Sequence, residues 1–448
     1  MRQTYGRRVG LSPIEPAWDV AVVGAGPAGA SAALSALHSA PHARVLLLDR
    51  CDFPRDKSCG DGIAPHVLDV LASISVIGTE AGYARVDRLR IGFASGPATD
   101  GVMARAAYVI PREVFDARLV QEAVQLGAQF RRHRVRTVSR QGELVVLDGS
   151  IRARVVIAAD GASSVLRRHF APRPIRTSTW PPGSPLSWWF TSTPPGSGGA
   201  PWWFTSKPPG LGGSAGKRGQ GHTAVAIRGY APVPAGRAAE QVIVFADPEG
   251  AGGATWPAYA WSFPIGDGRA NIGYGELLRP GRPLTREHLL RRLEDLLPGA
   301  ALGAQAWHAH LLPLSTGRPR QPDGAILLVG DAMNLINPVT GEGIFCAVTS
   351  GVLAGRAAVT AADPGRRMAL TAADPGHGYR VLLRSALGVH LRHTDVATLL
   401  ARSPVVVAAA VRAAARNPDT FDDLVELGLG AGKRSPQALG RITAALIR

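Results

Sequence analysis

Two short stretches hold most of the groups that could do chemistry. Gly24, Gly26 and Gly29 stand in "GAGPAGA" as G-x-G-x-x-G. That spacing lets backbone approach a diphosphate and rest it on the N-terminus of a following helix. Further on, Cys51–Gly62 reads "CDFPRDKSCGDG" and holds two of the chain's three cysteines among five charged side chains. A loop of this kind could bind a metal, form a redox pair or line a cofactor. Only His66 stands near Cys51 and Cys59 as a further soft ligand, and the spacing is not that of a zinc site. No C-x-x-C is present, which argues against a catalytic disulfide.

The elements around these stretches decide what they serve. "WDVAVV" is a short β-branched strand, and the glycines after it run through Pro27 and Ala28 into an Ala-rich helix. "ARVLLLDR" is a buried second strand ending in Asp49 and Arg50. Asp49 follows Gly29 at the interval expected of a carboxylate that grips an adenosine ribose. Two later segments repeat the strand-then-turn form. "VVIAADGASSVLRR" runs into Asp160–Gly161, and "GAILLVGDAMNLINPVTGEGI" runs into Gly330–Asp331 before a Pro/Gly turn and a second Ala-rich helix. Three such turns spread over most of the chain suit one elongated ligand, which favours FAD over a nicotinamide dinucleotide. "GLGAGK" at Gly428–Lys433 follows a helical pattern and reads as a helix end. NAD(P)H or another reductant is therefore expected as a transient electron donor with no Rossmann domain of its own.

The glycine loop, "FPRDKSCGDG", "PREVFDARLVQEAVQLGAQF", "ADGASSVLRR", "YAWSFP", "GDAMNLINPVTGEGI" and the C-terminal "HLRHTDVATLLARSPVVVAAAVRAAARNPDTFDDLVELGLG" occur in that order. With them the chain resembles the para-hydroxybenzoate-hydroxylase-type flavoproteins, and within these the geranylgeranyl reductase family, its actinobacterial branch in particular. The resemblance implies a loop that runs from Asp49 towards the isoalloxazine ring. Arg55 and Lys57 would face phosphate or flavin oxygens, and Cys59–Gly60–Asp61–Gly62 would line the ring. It implies that Arg112 lies near FAD, that Asp331 holds the ribityl chain, and that the turn with Pro338, Gly341, Glu342 and Gly343, leading into Ile344, aims N–H groups at the pyrimidine edge. Gly351 and Gly355 would flatten the following helix for packing on the sheet. Tyr259, Trp261 and Phe263 would line an apolar substrate pocket, although alternating aromatics suit a sheet core equally well. Cys59 either shapes the substrate face or is a small packing residue, and Cys51 is incidental. Ala332–Met333–Asn334 after Gly330–Asp331 depart from the aromatic-ring hydroxylases, and "CGDG" departs from the flavin halogenases.

The fold expected is mixed α/β: a Rossmann-like FAD-binding domain, an inserted, mostly antiparallel substrate sheet and a helical C-terminal region. The boundaries expected are 1–175 and 321–362 for the FAD domain, 176–320 for the substrate domain and 363–448 for the helices. The activity implied is reduction of C=C bonds in a polyprenyl, terpenoid or other apolar biosynthetic substrate. Flavin would supply hydride, and Tyr259, Cys59 or Asp61 would supply or relay the proton. A monooxygenase on the same scaffold and a degenerate flavoprotein acting as a scaffold are the alternatives.

Composition bounds the partners. The chain has 448 residues, 46% hydrophobic content and a net charge of +16, which suits a reduced cytosolic protein with a large core. Lys57, Lys207, Lys217 and Lys433 are its only lysines, so the charge follows Arg usage, and no nucleic-acid motif accompanies it. Anionic membrane contact at the inner face or a diphosphate substrate accounts for it better. Arg7–Arg8 precede no separate apolar segment, and no run reaches the length of a spanning helix. His308 and His310 share one strand face without a third ligand, so no metal is expected. "FRRHRVRTVSR" (130–140) reads as one basic strand. Residues 176–221 hold the tandem copies "WWFTSTPPGSGGAP" and "WWFTSKPPGLGGSA", which suit either a tolerated surface loop or a Trp-rich lid.

Overall fold

Strands that run as unbroken apolar stretches must be covered on both faces, and the first two strands are. Strand β1 (Trp18–Val23) and β2 (Val45–Asp49) pair in parallel, and Val20, Ala21, Val22, Leu46, Leu47 and Leu48 are wholly buried. The computed structural model describes residues 16–94, 96–170, 222–234, 236–246, 258–278, 284–362, 374–430, 432 and 436–447. The Trp-rich duplication and the Arg7–Arg8 pair lie outside these residues.

Two sheets organise the chain. The first has seven strands in the order β6 (Gln129–Arg132), β2, β1, β9 (Ile151–Ala158), β8 (Leu144–Leu147) and β7 (Val138–Gln141), with β15 (Ile326–Leu328) also paired to β9. Its core strands are parallel, and the crossover from β1 to β2 is α1 (Pro27–Ser39). The second has eight, in the order β14 (Gln305–Pro313), β10 (Thr223–Pro232), β13 (Arg269–Leu277), β12 (Tyr259–Pro264), β11 (Glu240–Phe245), β4 (Arg85–Phe93), β5 (Ala98–Val109) and β3 (Gly62–Ile63). Only β4 and β11 pair in parallel there. Helix α5 (Arg286–Leu296) covers one face through Leu289, Leu293 and Leu296. This is the mixed α/β architecture expected, with its antiparallel sheet and helical C-terminal region.

Three expectations need correction. Residues 62–109 do not belong to the first sheet as the 1–175 boundary supposed, because β3, β4 and β5 are edge strands of the second. Their alternating burial, open on one side, suits a sheet with one exposed face. Residues 130–140 are two strands, not one. β6 joins β2, and β7 joins β8 at the far edge, with the main chain between them turned by bonds to the Asp148 carboxylate. Gly351 and Gly355 lie in α6 (Ile344–Ala362), and they meet helix α1, not the sheet: a Cβ there would stand 2.1 Å from the Ala28 carbonyl oxygen and 2.3 Å from that of Ala32.

The C-terminal helices read directly from their starts. Helices α7 (Pro375–Ala401), α8 (Pro404–Arg416) and α9 (Pro418–Leu429) each open with proline, where no N–H is needed. Asp374 and Asn417 cap the N–H groups of His377 and Thr420. α10 (Pro436–Ile447) follows the same form. Contrary to the expectation that no run reaches the length of a spanning helix, Ile344–Ala361 in α6 is long and apolar enough to cross a membrane, yet 83% of that stretch is buried inside the protein. It is the central core helix.

Replacing Gly355 by leucine sets two effects against each other. Helix propensity favours the substitution by about 1 kcal/mol, and the overlap with Ala32 opposes it by about 3 kcal/mol. The variant is expected to lose about 2 kcal/mol in denaturant unfolding; a gain in stability would mean that α1 and α6 separate freely.

Candidate active site

The first glycine turn is shaped by contact. Gly24 has φ +100°, and a Cβ on Gly29 would stand 1.7 Å from the Gly24 carbonyl oxygen. Gly26 caps α1 with Pro27 and Ala28 behind it. Above Gly26 hang two guanidinium groups, with Arg55 Nη2 at 3.6 Å and Arg112 Nη2 at 3.9 Å from where its Cβ would lie. Both pair with the buried Asp116, and Arg55 also lies 3.8 Å from the Asp49 carboxylate. Asp116 accepts from Arg112 Nε at 2.7 Å and Nη2 at 2.8 Å, and pairs with Arg55 Nη1 at 3.2 Å. Arg112 opens α3 (Arg112–Gln125) but is 3% exposed, so it is no solvated helix-start arginine. Burial alone would lower its pKa, but the charge and hydrogen bonds of Asp116 outweigh that and raise it. Two guanidinium groups and the N-terminus of α1 converge here, where a diphosphate fits.

Asp49 closes this end. Its Oδ2 accepts from Ala25 N at 2.9 Å and its Oδ1 from Cys51 N at 3.0 Å, which explains the buried Cys51 beside it; Arg50 points to solvent. The other two turns meet one another. Asp160 Oδ2 accepts from Val165 N at 2.7 Å, capping α4 (Val165–Phe170), while its buried Oδ1 has no partner; Gly161 follows with φ +79°. Arg167 bonds the carbonyls of Asp331 (3.1 Å) and Ala332 (3.0 Å), Asn334 Oδ1 (2.8 Å) and the Ala162 carbonyl. That staple went unread in the sequence, where Arg167 is only one basic residue in a helix. Gly330 sits against Ala28 of α1. Asp331 pairs with Lys57 Nζ at 3.2 Å; burial pushes its pKa up, but Lys57 and His310 pull it below the usual carboxylate value. Burial and the Lys57 charge push His310 down to about 3, leaving a neutral imidazole whose Nε2 has no partner.

The loop 51–62 is sewn to the second sheet. Arg228, 1% exposed, pairs with Asp56, and His308 Nε2 lies 3.6 Å from that carboxylate. Asn271 donates from Nδ2 to the Cys59 carbonyl and to Asp61 Oδ2, both at 2.8 Å, while its Oδ1 accepts from Trp261 Nε1 at 2.8 Å. Tyr230 donates to Asp61 Oδ2 at 2.5 Å. Asp61 has φ +60° and is fully buried. Burial raises its pKa to about 6 against the bonds from Tyr230 and Asn271 and the Arg228 charge. Arg228, Tyr230, Asn271 and His308 were not singled out as site residues from sequence. The available signal was Arg228 and Tyr230 two apart on one strand face, and an asparagine inside an apolar strand.

Gly60 lies over the aromatic face, with its Cβ position 3.5 Å from both Trp261 Nε1 and Phe263 Cε2. From there a row of rings runs Phe263, Trp261, Tyr259, Phe245, Phe93, with centroid separations of 6.5, 5.9, 5.9 and 5.7 Å. Phe245 and Phe93 extend the three aromatics read from sequence. Tyr259 donates its hydroxyl proton to the Thr340 carbonyl. Burial raises its pKa, with Cys59 and Glu342 adding to the shift. Thr340 Oγ1 in turn bonds the Gly428 carbonyl at 2.8 Å, tying the turn with Pro338, Gly341, Glu342 and Gly343 to the end of α9. Glu342 accepts from Phe345 N at 2.8 Å ahead of Ile344 and α6, and burial raises its pKa to about 7. Cys59, beside Arg112, is pushed up chiefly by burial, so it stays a thiol at neutral pH. Among the described residues no cluster could hold a metal.

A family model described as FAD binding domain matches residues 17–191. The orphaned Asp160 Oδ1, the glycines that tolerate no Cβ and the cations over α1 fit that cofactor. The chain is an FAD-dependent oxidoreductase. It is 31% identical over 359 residues to menaquinone reductase of Mycolicibacterium smegmatis, covering 75% of each chain. It is 29% identical over 363 residues to digeranylgeranylglycerophospholipid reductase 1 of Methanopyrus kandleri, covering 77% of this chain and 81% of that one. A geranylgeranyl bacteriochlorophyll reductase-like structure from Thermoplasma acidophilum superposes with TM-score 0.63 at 20% identity over 96% of each chain. A flavin-dependent brominase reaches TM-score 0.64 at 15% identity over 96% and 98%, which speaks for the fold alone. This chain belongs to the geranylgeranyl reductase family.

Two substitutions test the electrostatics. Asp116→Asn leaves buried Arg112 without a carboxylate and Arg55 with Asp49 alone at 3.8 Å, and is expected to cost the FAD-free protein about 3–5 kcal/mol. The loss should be smaller with FAD bound, because a diphosphate supplies the missing charge; equal losses in melting temperature with and without FAD would place the diphosphate elsewhere. For Asp61, whose pKa is raised on folding, the stabilising contribution is complete below about pH 4 and lost as pH rises through about 6. Asp61→Asn is therefore expected to gain about 3 kcal/mol relative to the parent at pH 8 and little at pH 4. Melting curves across that range check it, and a pH-independent difference would contradict a buried, titrating carboxyl.

Proposed function

We propose that the chain reduces a C=C bond in the prenyl tail of a lipid-soluble substrate, with menaquinone-type prenyl quinones ahead of geranylgeranyl lipids. The observation that carries this reading is the row of five aromatic rings that starts under Gly60 and runs out to Phe93. Ile91, Ile243, Leu424, Val425 and Leu429 flank it as a second apolar cluster. A prenyl chain offers a protein little except apolar surface, so a long apolar track is what would recognise it. The names of the curated relatives favour quinone and isoprenoid-lipid tails in the same sense.

In this reading Gly24, Gly26, Pro27, Ala28 and Gly29 hold the FAD diphosphate together with Arg55 and Arg112, and Asp49 takes the ribose, with Arg50 at the rim. Asp160, Gly161, Gly330 and Asp331 hold the middle of the cofactor, with Lys57 neutralising Asp331. Gly60 with the Pro338–Ile344 turn lines the ring. When bound, FAD supplies the hydride, which it first receives from NAD(P)H or another reductant. An unactivated alkene also needs a proton on its second carbon. Cys59 Sγ and Tyr259 Oη carry protons at neutral pH on the aromatic side of the loop, and Asp61 stands behind it as a reserve. Trp261 and Phe263 orient the tail and exclude water. Residues 16–61, 110–170 and 321–362 form the cofactor unit, and the second sheet with α9 forms the substrate unit. The protein works in the cytoplasm, at the membrane surface where such substrates reside.

The test is anaerobic. Chemically reduced holoenzyme is mixed with a prenylated menaquinone or a geranylgeranyl glycerophospholipid. Flavin reoxidation is expected, with a product whose prenyl tail stays two hydrogens heavier after any quinol has been reoxidised to quinone in air. Flavin that stays reduced until oxygen enters, followed by an oxygenated product, would replace the reductase with a monooxygenase.

A further inference from the structure

Helix α7 has two apolar sides, and only one of them has a partner. Tyr379, Leu383, Leu387, His390, Leu391 and Thr394 are buried along one side, recurring at helical spacing. Turned about half a revolution away lie Val381 and Leu382, 50% and 38% exposed, and Leu399 and Leu400, 58% and 41% exposed. The chain then bends by 112° into α8, whose second residue, Val405, is 61% exposed. Eleven large apolar side chains are exposed among the described residues, and five of them fall between Val381 and Val405. Val381 and Leu382 lie about 27 Å along the helix from Leu399 and Leu400, so the apolar group at the elbow is Leu399, Leu400 and Val405. Scattered apolar residues are ordinary, but three together at one bend are not.

Charge selects the occupant. Residues 375–416 hold six arginines (Arg380, Arg384, Arg392, Arg402, Arg412 and Arg416) and one acid, Asp395; Arg380, far from the bend, pairs with Asp323 at 2.6 Å. Asp395 is committed to Arg318 through bonds of 3.0 and 2.8 Å. A two-fold contact at the elbow would bring Arg392 and Arg402 against their own copies, with no carboxylate of α7 or α8 left over to neutralise them. An anionic lipid surface complements both the apolar side chains and the arginines. Taken together, α7 and α8 are apolar enough to pass for a membrane span, but the 112° bend keeps them from forming one straight rod.

We infer that the α7–α8 elbow seats the protein on an anionic bilayer, with Leu399, Leu400 and Val405 entering the interface and Arg392 and Arg402 meeting lipid phosphate. The inference deepens the reading of a lipid-borne substrate and names the surface through which the enzyme meets its source. None of these side chains belongs to the candidate active site.

Holoenzyme is sedimented with phosphatidylcholine vesicles, with and without phosphatidylglycerol, at low and raised salt. Binding is expected with phosphatidylglycerol, weaker without it and weaker in salt. The double variant Leu399→Glu/Leu400→Glu should bind at least about tenfold more weakly, while its FAD absorbance, melting temperature and reduction of a detergent-dispersed substrate match the parent. Arg392→Gln/Arg402→Gln should lose the preference for phosphatidylglycerol. Vesicle binding unchanged in the glutamate variant overturns the inference, as does parent protein that ignores vesicles. A soluble dimer split by the same glutamates would assign the elbow to a second copy. Failure to reduce the detergent-dispersed substrate would sink the proposed reaction while leaving the vesicle result to stand separately.

Discussion

One asparagine side chain joins the two halves of the site. Asn271, wholly buried in the second sheet, donates to the Cys59 carbonyl and to the Asp61 carboxylate and accepts from Trp261. The loop that leaves the first sheet at Asp49 is thereby held over the aromatic row of the second. Each bond is worth only about 1 kcal/mol net, but breaking one leaves a buried polar group without a partner and costs more. Loop, aromatic face and cofactor turns are consequently one rigid constellation, which is what a reaction between two positioned molecules requires.

That constellation is held at an energetic cost. Asp61 is buried, left-handed in backbone and raised towards pH 6, with one oxygen bonded twice and the other unpartnered. Arg228 is buried with a single half-covered carboxylate for its charge. Strain and imperfect satisfaction of this sort collect where function sets the geometry. At the diphosphate end Arg55 and Arg112 share Asp116, with Asp49 3.8 Å from Arg55. An anionic cofactor would add a partner for both cations, so cofactor binding and folding are linked there.

The C-terminal helices serve both ends of the substrate's path in this reading. α9 fastens the turn before α6 through Thr340 and Asn337, and packs Phe421, Leu424 and Val425 near the aromatic row. α7 and α8 carry the exposed apolar elbow on the outside.

What could be read from sequence was local. The glycine spacing, the carboxylate closing the second strand and the two later Gly–Asp turns each express a backbone requirement within a few residues, and so did the proline-led helices. The aromatic alternation of Tyr259, Trp261 and Phe263 was visible for the same reason, because strand faces repeat every second residue. The rest depended on pairing between distant segments. Strands β3 to β5 joined the second sheet although they lie between elements of the first, and only strand partners decide that. Arg112 and Arg55 became one site through Asp116, the rings of Phe93 and Phe245 met Tyr259 across β4, β11 and β12, and Asn271 met Cys59 more than two hundred residues away. The sequence by itself determined which cofactor chemistry the chain can support, since that rests on short motifs. Tertiary structure alone decided which buried charges share a partner and which apolar faces have none, because both depend on what long-range packing brings alongside.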